Sequence, residues 1–187
     1  LPKLGKYAHL PMQSGSNRIL KAMNRPYRIE KFLSIVDDLR NKVPGMRLST
    51  DVIVGFPGET IEDFELTKTA FTKAGFEMGF IFKYSDRSGT PSVAFDKKVE
   101  KNDLEFRNQE LLKLLEVHSL TSNRKLIGQE VEVLIESKAR KGEGKLMGRT
   151  PCFRKVNFVG QDSLIGNILK VKIVDATHSS LWGELGS

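Results

Sequence analysis

The chain has 187 residues, 39% of them hydrophobic, with 30 Lys and Arg against 23 Asp and Glu, a formal net charge of +7 and a pI near 9.5. That length suits one medium domain or two small ones with a buried core. No run approaches the roughly 18 apolar residues of a membrane helix, and no charged-then-apolar leader resembles a signal peptide. The single cysteine, Cys152, excludes an intramolecular disulfide and argues for a cytosolic setting. It also falls short of the thiolates that hold an iron–sulfur cluster. With no initiator Met, and Gly186-Ser187 at its end, the sequence reads as part of a longer chain.

The first two-thirds alternates strand and helix. Tyr7 to Leu10 is a short strand candidate that runs into a turn at Ser14, Gly15 and Ser16. A short helix carries Ile19, Leu20 and Met23 on one side, and Pro26 ends it by disfavouring helix at the preceding residue. From Ile29 to Val43, the residues Phe32, Leu33, Val36, Leu39 and Val43 recur at helical spacing, and Pro44-Gly45 punctuates the end. Leu48 to Val54 reads as a strand whose run Val52-Ile53-Val54 predicts burial on both faces, as in parallel sheets. After the turn Gly55-Phe56-Pro57-Gly58, Thr60 stands three residues before Asp63, a capping-box pattern. Phe64, Ala70, Phe71 and Ala74 line that helix, and Gly75 suits its C-terminal cap. Met78 to Tyr84 is the next strand. The order β, α, α, β, α, β implies a parallel sheet with crossover helices. A polar stretch from Ser85 to Pro91 follows, then a helical pattern from Asp103 to Leu126 that Gly128 closes.

Beyond Gly128 the texture changes. Val131, Val133 and Ile135 alternate with Glu132, Leu134 and Glu136, a strand pattern of period two. Val156 and Phe158 flank Asn157, Ile168 to Ile173 extends another strand, and Leu181 to Leu185 offers a last one. Gly142, Gly144, Gly160 and Gly166 fall in the turns. Roughly four or five short strands in about sixty residues suggest a small β-barrel. The predicted boundary lies at 127/128. Charge is uneven: the first 50 residues carry 10 basic and 3 acidic side chains. The stretch 138–155 holds Lys138, Arg140, Lys141, Lys145, Arg149, Arg154 and Lys155 against Glu143. Such an excess attracts phosphate, and it is equally what a solvated basic loop looks like.

Four segments carry a resemblance. HLPMQSGSNRILKAMNRPY at 9–27, STDVIVGFPGETIEDF at 49–64 and FIFKYSDRSGTP at 80–91 resemble strand signatures of the radical S-adenosylmethionine methylthiotransferases. The tail, with KLMGRT at 145–150, SLIG at 163–166 and SLWGEL at 180–185, resembles their TRAM domain. The likeness covers nearly the whole chain, in order. Within the family, FKYS and LMGRT look most like the enzymes acting on dimethylallyladenosine of tRNA. Relatives act on threonylcarbamoyl-adenosine or on a ribosomal protein.

This resemblance implies an α/β fold: the C-terminal half of a radical SAM (TIM-like) βα barrel with parallel strands over 1–127. A small all-β, OB-like TRAM barrel that binds RNA would follow over 128–187. It implies S-adenosylmethionine and 4Fe–4S clusters as cofactors, tRNA as partner and the cytoplasm as location. The family's CxxxCxxC loop is absent here, so the clusters would belong to the missing N-terminal half, and this chain alone is expected to be inactive. By the same resemblance Gln13, Ser14, Val54, Gly55 and Phe56 line the cofactor; Asp51, a carboxylate inside an apolar strand, calls for a partner and is expected to face inward near the cofactor or substrate. Gln13 and Ser14 would face its ribose or methionine part. The turn at Val54-Gly55-Phe56 would contact its adenine, since small residues let backbone come close. Lys83 and Arg87 are assigned to RNA or substrate; Lys83, in the strand that carries Phe80 and Phe82, would point either to solvent or inward at the active-site mouth. In the tail, Arg149, Arg154 and Lys155 would pair with phosphates. Phe153 would stack on an unpaired base or belong to the barrel core. Cys152 and the three histidines have no metal-ligand spacing. A non-catalytic RNA-binding module with an α/β scaffold is the rival reading.

Overall fold

The computed structural model describes residues 5–139 and 144–186. Arg140, Lys141, Gly142 and Glu143 of the basic stretch lie outside the described residues. The chain forms two compact units. One comprises Ala8–Pro44 and Leu48–Leu115, and the other holds the remaining described residues, 5–7, 45–47 and 116–186.

The first unit is built on β1 (Tyr7–His9), α1 (Asn17–Ala22), α2 (Ile29–Lys42), β2 (Arg47–Val54), α3 (Ile61–Ala74) and β3 (Met78–Lys83). The sheet order is β1-β2-β3. β2 and β3 run parallel, with Ser49 opposite Met78 and Val54 opposite Lys83. The parallel pairing follows from the crossover helix α3, as the alternation of elements requires. Asp63 ties the start of α3 to that of α1. Thr60 caps α3 in a capping box with Asp63, and the same carboxylate accepts from Ser16 Oγ at 2.6 Å, Ser16 being the N-cap of α1. Arg18 Nη2 also donates to Asp63.

The two faces of the sheet differ. Leu48, Val52 and Val54 are wholly buried, as are Phe64, Phe71 and Phe76. On the other face Asp51 and Ile53 are half-buried, and their register neighbours Phe80 and Phe82 are 54% and 50% exposed. The expectation that Val52-Ile53-Val54 is buried on both faces is therefore corrected: only the helix-covered face is dry. Lys83, expected at the mouth of the site, lies among the residues lining a cleft there. It sits opposite Val54, on the other parity from Phe80 and Phe82, because successive strand side chains alternate. Its ammonium is held at 2.7 Å by Glu105 of the long helix α4 (Lys101–Arg124).

The second unit is a closed five-stranded barrel in the order β4-β5-β6-β8-β7. Its strands are β4 (Glu130–Lys138), β5 (Lys145–Arg149), β6 (Lys155–Val159), β7 (Ile168–Ala176) and β8 (Leu181–Leu185). β6 and β8 are parallel and the other pairs antiparallel. The alternating apolar residues Val133, Ile135, Leu146, Val156, Phe158, Val171, Ile173 and Leu181 fill its interior. Gly148 makes the β4–β5 approach possible: a Cβ there would lie 2.4 Å from the Leu134 carbonyl oxygen. Closure leaves no sheet edge open to pairing with other chains.

Candidate functional site

Parallel strands place their ligand crevice beyond their C-terminal ends. A cleft of about 720 Å³ opens there, between the ends of β2 and β3. Gln13, Asp51, Ile53 and Phe56 line one part of it; Phe82, Tyr84 and Phe95 line another. Its rim comes from the loop after α1, with Met23, Asn24 and Arg25, and from the loop leaving β3, with Arg87. The volume and the mixture of aromatic wall with a few polar groups suit a small-molecule site.

Gln13 is set by its backbone. Its N–H donates to Asp51 O at 2.8 Å and its carbonyl accepts from Ile53 N at 2.9 Å. This bridge holds it at φ +65°, a left-handed conformation that non-glycine residues rarely adopt and that clusters at functional sites. Asp51 stands on the open sheet face. Its Oδ2 lies 3.3 Å from His9 Nε2, and the other ring nitrogen of His9 is 2.7 Å from Ser49 Oγ. The partner expected for a carboxylate in an apolar strand is thus a histidine. The absence of metal-ligand spacing had set His9 aside, although the pairing of the first two strands brings it beside Asp51. Phe56 packs edge-on against Tyr84 at 5.3 Å and Phe95 at 6.0 Å, forming the apolar wall.

The other three residues expected at the cofactor stand behind this wall. Ser14 is buried, within 3.3 Å of Thr67 Oγ1, and accepts from Ser16 N. Val54 is wholly buried. At Gly55, which has φ +73°, a Cβ would fall 2.2 Å from Leu104 Cδ1, so the room left by its missing side chain is taken by α4. Ser14 shapes the turn into α1, Val54 and Gly55 the turn after β2, and none of them lines the cleft. The turn is clamped from below by Glu59, whose Oε2 accepts from Gly55 N at 2.7 Å and from Arg107 Nη1 at 2.7 Å. Burial pushes the Glu59 carboxyl up, against the lowering effect of Arg107 and the Gly55 N–H. Nothing in the spacing of Glu59 and Arg107 announces this pair; only the packing of α4 does.

In the barrel the basic stretch is largely spent on protein contacts. Lys138 pairs with Asp162 at 2.5 Å, and Lys145 lies 4.9 Å over the Trp182 ring. Arg149 donates to Glu136 at 3.0 Å and covers the Phe153 ring at 4.4 Å. Arg154, expected on phosphate, is corrected. It is buried, with its guanidinium given to Asn123 Oδ1 and to Ser122 Oγ at 2.8 Å. Phe153, expected in the core or under a base, lies outside the barrel core. At φ +65° it is 44% exposed, and it is flanked by Arg149 and by Tyr7, stacked at 5.1 Å. A base would have to displace one of them. Lys155 is exposed and keeps its ammonium available. Cys152 Sγ lies 3.2 Å from Thr150 Oγ1. Among the described residues no group of three His, Cys, Asp or Glu side chains could hold a metal ion, and no helix is long and apolar enough to cross a membrane.

A parallel sheet with a polar-and-aromatic cleft at its carboxyl edge, followed by a closed five-stranded barrel, defines the class. The family model of the radical SAM superfamily matches residues 1–70, and that of the TRAM domain matches residues 124–185. The chain belongs to the radical SAM superfamily and carries a TRAM domain. Among curated proteins it is similar to the tRNA-2-methylthio-N(6)-dimethylallyladenosine synthase of Opitutus terrae, with 47% identity over 185 residues, covering 99% of this chain and 38% of that protein. The enzyme of the same name from Alkaliphilus oremlandii is 43% identical over 183 residues, covering 98% of this chain and 39% of its own. The chain thus spans about two-fifths of the length of these relatives. Among solved structures, coproporphyrinogen III oxidase of Escherichia coli, a radical SAM enzyme, matches with a TM-score of 0.53 at 11% identity. It covers 95% of this chain and 45% of that one, a likeness of fold alone.

Proposed function

We propose that this chain is the C-terminal part of a radical SAM enzyme that methylthiolates dimethylallyladenosine in tRNA. Residues 1–127 would form part of the catalytic barrel and 128–187 the RNA-docking domain. The observation that carries the reading is the cleft at the ends of β2 and β3, lined by Gln13, Asp51, Ile53 and Phe56, in a chain 47% identical over nearly its full length to a synthase of that activity.

The donor set fits S-adenosylmethionine. Ile53 and Phe56 offer an apolar wall to adenine. The Asp51 carboxylate accepts hydrogen bonds from ribose hydroxyls, and the Gln13 amide both donates and accepts. His9 orients Asp51 from the sheet side. Val54 and Gly55 act indirectly, by fixing the turn that carries Phe56, and Ser14 by fixing the turn into α1. When bound, the cofactor supplies the radical chemistry, and the chain's own residues hold it and exclude water. Cluster ligation does not fit these residues, because Cys152 is the one thiol of the sequence and a cluster takes several. The thiolates would come from the part of the protein that the relatives possess beyond this stretch.

Nucleoside mass spectrometry of tRNA from a strain lacking the gene tests the reading. The methylthio form of dimethylallyladenosine should vanish and its unmodified precursor accumulate. An unchanged level would overturn the proposal. Loss of the methylthio mark from threonylcarbamoyl-adenosine instead would move the substrate.

A further inference from the structure

Three carboxylates on or beside the cleft, Asp51, Asp86 and Glu105, are each matched to a base, and two arginines on its rim are not. Asp51 faces His9, Asp86 holds Lys98 at 2.5 Å, and Glu105 holds Lys83 at 2.7 Å. Arg25 and Arg87 are both exposed and both line the cleft, and no carboxylate among the described residues pairs with either. A cation left unmatched beside matched neighbours is a binding group in search of an external anion.

Both arginines sit on pinned backbone. Asn24, at φ +56°, closes α1, with its N–H on Lys21 O at 3.0 Å and the Arg25 N–H on Leu20 O at 2.9 Å. On the other loop, Thr90 donates to the Arg87 carbonyl twice, from N at 3.1 Å and from Oγ1 at 2.8 Å. Lys98 staples the same loop through Asp86 and also reaches the carbonyls of Ser92 and Val93. Loops fixed in this way pay little ordering entropy when they bind.

The cleft that both arginines line also holds Met23, Phe82 and Phe95. Cations at a rim above an aromatic interior match the chemistry of a nucleotide that has left its stack: phosphodiester outside, base inside. We propose that Arg25 and Arg87 grip the RNA phosphates flanking the adenosine that enters the cleft. This assigns a nucleic-acid contact to the α/β unit as well as the barrel, and it rests on the tRNA-modifying reading above.

The test uses the full-length polypeptide, an RNA hairpin with the target adenosine in its loop, and S-adenosylmethionine. Hairpin binding is followed by fluorescence anisotropy across a salt series, and cofactor binding by calorimetry. Arg25→Gln and Arg87→Gln should each weaken hairpin binding about tenfold and lower the steepness of log affinity against log salt by about 0.7–0.9. Cofactor affinity should stay unchanged, and Arg87→Glu should weaken hairpin binding further. An unaltered salt slope in both Gln variants would overturn the proposal. So would a loss of cofactor affinity with hairpin binding intact, which would make the arginines partners of the cofactor carboxylate. A wild-type protein that binds no hairpin would instead remove the tRNA-modifying reading itself.

Discussion

Burial alone would raise the Asp63 carboxyl, yet hydrogen bonds from Arg18, Ser16 and Thr60 bring it down from 3.8 to about 2. The folded protein therefore binds this proton less tightly than the unfolded chain does. The stability Asp63 contributes is complete above the unfolded value and disappears as pH falls through the folded one. Asp63→Asn should cost about 2 kcal/mol at neutral pH, and the gap between variant and wild type should close in strong acid. Denaturant unfolding across a pH series measures this, and a gap that is constant with pH would contradict it. The sequence announces one half of the arrangement, the capping pattern Thr60-x-x-Asp63. The other half, Ser16 and Arg18, comes from a helix distant in sequence, and no local rule pairs them.

At the scale of elements, strands and helices follow the order that periodicity predicts, because alternation and helical spacing are local properties of the chain. β5, Lys145–Arg149, is the strand that periodicity passed over. Gly148 interrupts its alternation, and its strand nature comes from pairing on both sides with β4 and β6. Burial is read less well than type. Arg154 follows a turn in a basic run and so looks like a surface cation, but its backbone and guanidinium close the start of β6 against the end of α4. Arg154→Leu should therefore lower stability by about 1–3 kcal/mol, the cost of removing the buried hydrogen bonds to Asn123 and Ser122. Hairpin affinity per folded molecule should stay unchanged. Thermal unfolding and anisotropy measured on the same samples separate the two effects, and a binding loss without a stability loss would return Arg154 to the RNA surface.

At the scale of the whole molecule, the face of β2 and β3 that carries Ile53, Phe80 and Phe82 remains open. Exposed aromatic area of this kind marks an interaction surface, and the remaining strands of a barrel would cover it. The chain expressed by itself should bind a hydrophobic dye such as anilinonaphthalene sulfonate strongly, and the full-length polypeptide weakly. Equal dye fluorescence from the two would mean that the face is not an interior one. The sequence by itself determined the α/β order, the alternating core of the barrel, the glycine-bearing turn after β2 and the shortage of thiols, since each depends on neighbours along the chain. Only the tertiary structure decided that Asp51 meets His9, that α4 fills the space beside Gly55 and that Lys83 turns away from Phe80 and Phe82. It likewise decided that most of the described basic stretch is spent on protein partners while Arg25 and Arg87 are not. Those outcomes depend on strand register and on contacts between residues far apart in sequence, where packing and charge pairing, rather than local pattern, fix what each side chain can reach.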